Sequence, residues 1–367
     1  MMMPDATLKT RFTPKALKPI DLPQQFVSGC FSPCGAFFFA GSMDGQLGRW
    51  CVVPDTVEPE LIALPTLTGL TAWVSVCVAL PDGKHVVAAD SWGNLAAWSY
   101  CADTIEPVWK VANAHDGWIR SLVISPDGQT IATCGRDGRV LFWSTSGQKK
   151  SEIVVSGDLS IVRFAPDGKS LFVGSLEGKV GQWAWSGDTS QTASLETSAK
   201  LREFDASPLF KVNRLQDVGG VRALAISPDG STLLVGGTQP VNGGNVQGKP
   251  TLLPFNIADG SLKKKAELGT DGDVYVTDLE WHHDGCWLIT TSGNPGQGKL
   301  LTWRVEDEQP LAEVKLSNCH LVRQHPSGRW FAALTTNANS NGNGKVLDKS
   351  GEYLGNRSPL QVLVLPS

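Results

Sequence analysis

Short apolar runs recur seven times along the chain, and each ends in a tight polar turn. The turns read Pro33-Cys34-Gly35, Pro81-Asp82-Gly83, Pro126-Asp127-Gly128, Pro166-Asp167-Gly168, Pro228-Asp229-Gly230, His283-Asp284-Gly285 and Pro326-Ser327-Gly328. Proline presets φ and glycine permits a positive φ, so each triplet stops one strand and starts another. The third copy is the clearest. Residues 118–125 (WIRSLVIS) are apolar and partly β-branched, and the run is too short for a helix. Residues 130–134 continue as a second strand, Arg136-Asp137-Gly138 supplies a hairpin signal, and residues 140–143 make a third strand. A weaker fourth strand near 151–155 leads outward to the next copy.

Spacing turns these copies into an architecture. A tryptophan stands 17 positions after the first residue of each of the first four turns, at Trp50, Trp98, Trp143 and Trp183; the sixth copy has Trp303 at a spacing of 20. Successive turns lie 40 to 62 residues apart, around the roughly 40 to 45 residues of a four-stranded propeller blade. No single unit buries both of its faces, so the units must stack against one another. The pattern predicts an all-β, seven-bladed β-propeller of four-stranded antiparallel blades, forming one domain over residues 1–367. Residues 361–365 read as the third strand of the last blade, which leaves its fourth strand to be found elsewhere. The N-terminal segment between Thr7 and Ile20 is expected to pair there and latch the ring, because an open sheet edge invites aggregation.

A formal charge of −4 and a single basic run, Lys263-Lys264-Lys265, argue against nucleic acid, which needs clustered cations. That run reads as a solvated outer edge. No apolar stretch reaches the ~18 residues of a membrane span, and residues 1–14 lack the apolar core of a secretory signal. The expectation is a cytoplasmic protein. The eight cysteines are scattered without a CxxC pair, and Cys77 and Cys134 fall inside strands as small hydrophobes. Cys30 and Cys34 are close in sequence, but no second pair completes four metal ligands.

The repeated unit resembles the WD40-repeat family, whose copies carry a Gly-His pair, a hairpin Asp and a Trp ending the third strand. In that family a His, a Ser or Thr, the Asp and the Trp form a hydrogen-bonded chain. The resemblance implies that His115, Thr133, Asp137 and Trp143 are its counterparts here. Only the third copy has all four: Trp92 replaces the hairpin Asp in the second, Glu177 replaces it in the fourth, and the first keeps Asp44 but has Ala40 at the hydroxyl position. The tryptophans are followed by Cys51, Ser99, Ser144, Ala184 and Arg304 rather than Asp order, so the repeats are degenerate. His115 beside Asp137 could be read as a catalytic base, but a buried imidazole bonded to a carboxylate and a hydroxyl is more simply structural. His282 and His325 precede their turns, where the family often places His, and are not read as ligands.

The functional reading rests on where extra residues and exposed chemistry fall. Insertions at 238–250, 292–298 and 337–359 lie between second and third strands, are rich in Gly and Asn, and are expected to raise one loop rim on a single face. That face also carries Met43, Trp73, Trp92, Trp118, Arg120, Arg136, Leu176 and Arg222, residue types favoured at protein interfaces. A further insertion spans 186–218, and its segment 196–204 could form a short amphipathic helix. The favoured function is a non-catalytic scaffold for a protein or peptide partner, monomeric, with no cofactor, nucleic acid or membrane. The alternative is a lactonase-like propeller hydrolase with a channel metal. The position six before each turn would line the channel and reads Val27, Ser75, Arg120, Ser160, Arg222, Thr277 and His320, without a carboxylate. Asp158, Asp271, Asp273 and Asp278 are placed near the channel but cluster in two blades, a poor set for a metal.

Overall fold

Seven four-stranded antiparallel sheets stand in a ring around a channel in the computed structural model, which describes residues 6–22, 24–53, 59–186, 199–212, 218–242, 247–337, 346–347, 353–354 and 357–366. The innermost strands, in blade order, are Phe26–Phe31, Val74–Ala79, Ile119–Ile124, Leu159–Phe164, Val221–Ile226, Tyr275–His282 and Cys319–Gln324. In blade 3 this strand is followed outward by Thr130–Gly135, Arg139–Ser144 and Lys149–Val154. Antiparallel order fixes the two faces. The Pro-x-Gly turns lie on one, called here the lower face. The starts of the inner strands and the hairpins between second and third strands lie on the other, the upper face.

The blades hold together because neighbouring sheets share apolar layers. Ile131, Leu141 and Trp143 of blade 3 pack on Leu80, Val87 and Ala97 of blade 2, while Cys134 and Phe142 pack on Leu159, Val162 and Trp183 of blade 4. Each Val, Leu, Ile or Phe among them contributes about 1.5–3 kcal/mol when fully buried. Alternation along each strand sends successive residues to opposite neighbours, so every blade has two buried faces.

The ring closes as the strand count predicts. Blade 7 runs Cys319–Gln324, Phe331–Thr335 and Ser358–Val364, and its outer edge is completed by Lys15–Ala16 and Ile20–Leu22. Lys15 pairs with Val364, and Ile20 with Leu360. Leu22 is buried with Phe26 and Trp50 of blade 1 and with Leu321, Trp330 and Leu360 of blade 7, so the latch also seals the seam.

Two local expectations change. Lys200–Asp205 is the outer strand of blade 4 rather than part of a helix, and residues 187–198 lie outside the described residues. Pairing with Lys179–Ala184 supplies the backbone partners that override the helical look of this segment. The insertion at 238–250 is largely sheet, because strands Thr232–Asn242 and Gln247–Asn256 continue their ladder to Asn242 and Gln247. Most of 337–359 falls outside the described residues. A short helix, Ala6–Arg11, precedes the latch.

Candidate functional site

Every inner strand carries an irregularity at the same place. The register slips between Phe26 and Ser28, Val74 and Val76, Ile119 and Ser121, Leu159 and Ile161, Val221 and Ala223, Val276 and Asp278, and Cys319 and Leu321. A bulge leaves one residue unpaired and re-aims its side chain. The skipped residues are Val27, Ser75, Arg120, Ser160, Arg222, Thr277 and His320, the ring read from the sequence, and all seven line a channel cavity of about 770 Å³. Several tie one blade to the next: the Ser75 hydroxyl donates to the Ile119 carbonyl at 2.5 Å, and Thr277 to that of Cys319 at 3.0 Å.

Charges in and around the channel are mostly paired with one another. Arg120 gives Asp158 two parallel hydrogen bonds of 2.8 and 2.9 Å, a bidentate fork of the strong kind. Asp278 pairs with Arg323, whose Nε also donates to the Gly29 carbonyl of blade 1 at 3.1 Å. Glu280 lies 3.9 Å from Arg323, and its Oε2 is buried without a hydrogen bond. Burial pushes its pKa up to about 7. Arg163 donates to the Val162 carbonyl and the Ser121 hydroxyl. Asp273 is buried in a loop, accepting from Thr270 Nα and Oγ1 at 2.8 and 2.9 Å, and neither it nor Asp271 lines the channel. The acids therefore serve ion pairs and loop geometry instead of converging on one point. His320 bonds Thr336 Oγ1 at 2.6 Å, and burial lowers its pKa to about 4, leaving it neutral at pH 7.

The four residues singled out in blade 3 lie in one chain of contacts. Trp143 Nε1 donates to Thr133 Oγ1 at 2.9 Å, Thr133 Oγ1 lies 2.8 Å from His115 Nε2, and His115 Nδ1 lies 3.0 Å from both Asp137 oxygens. The Asp137 carboxylate can only accept, so Nδ1 carries the hydrogen and Nε2 accepts from the Thr133 hydroxyl, which in turn accepts from the indole. The His115 side chain is fully shielded from solvent, an arrangement that fastens a hairpin and leaves no ring nitrogen free for a substrate.

On the upper face the candidate partner residues divide into two groups. Blades 2 and 3 gather Trp73, Trp92, Trp118, Arg120 and Arg136. Trp73 and Trp118 meet edge to face at 5.8 Å, and Arg120 lies 4.6 Å over the Trp118 ring. Trp92 is 66% exposed and Trp73 39% exposed, costly for indoles unless something covers them. Asp90 fixes the Trp92 hairpin, its carboxylate accepting from the N–H groups of Trp92 and Asn94 and from Asn94 Nδ2 at 2.8–3.0 Å. It thus takes over from the hairpin Asp that Trp92 replaces. Met43 and Leu176 are half-buried on the hairpins of blades 1 and 4, and Arg222 lies 4.8 Å over Tyr275 on blades 5 and 6. The pairings of Arg120 with Asp158 and of Arg222 with Tyr275 were not read from the sequence; each joins two different blades.

A family model for the WD domain, G-beta repeat matches residues 22–50, 106–144 and 263–295, and the middle match holds His115 to Trp143. With seven blades already in view, the assignment is direct. The chain is a WD40-repeat propeller. Among similar proteins, echinoderm microtubule-associated protein-like 2 of Rattus norvegicus is 26% identical over 59% of this chain and 34% of its own length. Echinoderm microtubule-associated protein-like 1 of Homo sapiens is 24% identical over 59% of this chain and 28% of its own. The periodic tryptophan protein 2 homolog of Schizosaccharomyces pombe is 28% identical over 71% of this chain and 31% of its own. The WD40 propeller described here therefore spans about a third of the length of these relatives. Proteins of this family generally bind protein partners and act as scaffolds. No helix among the described residues is long and apolar enough to cross a membrane.

Proposed function

We propose that this WD40 propeller is a non-catalytic cytoplasmic scaffold that binds a protein or peptide partner, as a monomer, on the upper face of blades 2 and 3. The exposed indoles of Trp92 and Trp73, grouped with Trp118, Arg120 and Arg136, carry this reading. Trp and Arg supply most of the binding energy at protein interfaces, and truncating such an anchor typically costs at least 2 kcal/mol of binding, roughly thirtyfold in affinity. The names of the two echinoderm microtubule-associated protein-like relatives contain microtubule association, which makes microtubules the first partner to test.

The test is a comparison of three purified proteins by affinity capture and by microtubule co-sedimentation: the parent, a Trp73→Ser/Trp92→Ser form, and a form trimmed between 338 and 356. The double substitution is expected to release the partner, and circular dichroism checks that the fold persists. Recovery of the same partner at the same strength by the Trp variant would refute the blade 2 and 3 surface. Loss only on trimming would move the surface to the blade 7 insertion.

A further inference from the structure

The lower face carries a cluster that partner binding on the upper face does not use. Strand Tyr275–His282 ends at the sixth turn, and Gly285, at φ 91°, reverses the chain into Cys286–Ser292. This tight reversal brings His282, His283 and Asp284 together, with one donor atom of each lying within 4.8 Å of the others. The two imidazole centroids are 4.3 Å apart. His282 Nδ1 is 3.7 Å from Asp284 Oδ2, and His283 Nε2 is 3.7 Å from Asp284 Oδ1. Two ligands of a tetrahedral zinc ion, each at about 2.0–2.1 Å, lie ~3.3 Å apart, so small side-chain adjustments close the set.

We propose that His282, His283 and Asp284 bind one divalent transition-metal ion of the zinc, nickel or copper class at the lower rim of blade 6. Two imidazoles and one carboxylate select such ions over calcium and magnesium, which prefer oxygen donors. The fourth position faces solvent, since the His283 side chain is 54% exposed.

Three neighbouring features fit this use. His282 is buried and its Nδ1 faces a backbone N–H of its own turn, so that atom holds a lone pair and no proton. It accepts the Asp284 N–H at 3.2 Å, a bond that the metal would replace. The second feature is Gln324. Its amide nitrogen is placed 3.0 Å from His283 Nδ1, while its Oε1 is buried with no partner. The amide's oxygen and nitrogen have nearly the same shape, and with the two exchanged the oxygen accepts the His283 Nδ1–H. His283 Nε2 then presents a lone pair to the ion, the usual way a carbonyl orients a metal-bound imidazole. The third is Arg11, at the end of the Ala6–Arg11 helix, whose Nη2 is 3.4 Å from Asp284 Oδ1 on an exposed side chain. Arg11 and the ion compete for one carboxylate, which links occupancy to the segment leading into the latch.

The experiment uses tag-free protein carrying Cys34→Ser and Cys101→Ser, because those two exposed thiols would bind the same metals. Cobalt(II) titration followed by visible absorbance, and zinc titration by calorimetry, are expected to show one ion per chain. His283→Ala removes an exposed ring, so it should weaken binding at least about tenfold without moving the apo melting temperature; Asp284→Asn should weaken it as well. Arg11→Ala should tighten binding two- to threefold, about 0.4–0.6 kcal/mol. Absence of stoichiometric binding in the parent, or undiminished affinity in His283→Ala, would overturn the site. Unchanged affinity in Arg11→Ala would overturn the competition.

Discussion

Blades 3 and 4 stand side by side in the same register and fasten their upper hairpins by different chemistry. His115 and Val155 occupy equivalent backbone positions, each giving its N–H to the hairpin glycine of the preceding blade, Gly93 at 3.2 Å and Gly138 at 2.9 Å. Blade 3 then builds a polar chain through Thr133 and Asp137, whereas blade 4 has Val173 and Glu177 at those places. The Glu177 carboxylate, one methylene longer, reaches past the first loop amides to the Asp158 N–H at 3.0 Å, and its Oε2 is left unpaired. Trp183 lies over Gly181, where an added methyl would fall 2.4 Å from the indole, while the same position in blade 3 is Leu141. A cavity of about 620 Å³, bordered by Val155, Val173, Glu177 and Trp183, opens beside blade 4. Both tryptophans are nonetheless buried. Sheet pairing and apolar contact between blades set the position of the indole; the polar chain adds fixity where its members are all present.

Making blade 3 resemble blade 4 should have the largest effect. His115→Val takes away the acceptor of the Thr133 O–H and the imidazole donor of the Asp137 carboxylate, and we expect a loss of about 2–4 kcal/mol in urea unfolding. A loss under about 0.5 kcal/mol would mean that the chain is ornamental in both blades. Asp137→Asn should cost about 1–3 kcal/mol at pH 7, with a telltale pH dependence. Burial alone would raise the Asp137 pKa, but His115 Nδ1–H and the N–H groups of Asp116 and Arg139 outweigh it, so the pKa is lowered. A carboxylate with a lowered folded pKa stabilises above its unfolded value near pH 4, and this contribution is lost as pH falls through the folded value. The gap between parent and Asp137→Asn should therefore narrow below about pH 4; a gap constant from pH 7 to pH 3 would contradict a hydrogen-bonded Asp137 carboxylate. The reverse change is the smallest. Val155→His restores the ring without the hydroxyl of the chain, and stability should move by less than about 0.5 kcal/mol.

How far this was legible in the sequence depends on the range of the interaction. The seven turns could be read because Pro and Gly meet a local backbone demand, and the latch followed from counting the strands after Pro326. The bulge ring was legible as a repeated position. Its partners were not, since Asp158 reaches Arg120 across a blade boundary and Glu280 meets Arg323 from the neighbouring blade. Residues 196–204 left a short helix open because their charges have helical spacing, while the hydrogen bonds that make Lys200–Asp205 a strand come from Lys179–Ala184. The extended hairpin of blade 5 was hidden by Gly and Asn, which signal loops on local grounds even where a ladder continues through them.

The propeller depends on a ring that its own first strands close. Deleting residues 1–22 and following amide hydrogen exchange together with thermal unfolding tests this most directly. The closed ring predicts a lower melting temperature and faster exchange along Ser358–Val364, which loses its outer partner. An unchanged melting curve with full protection of that strand would show that the ring does not need its latch.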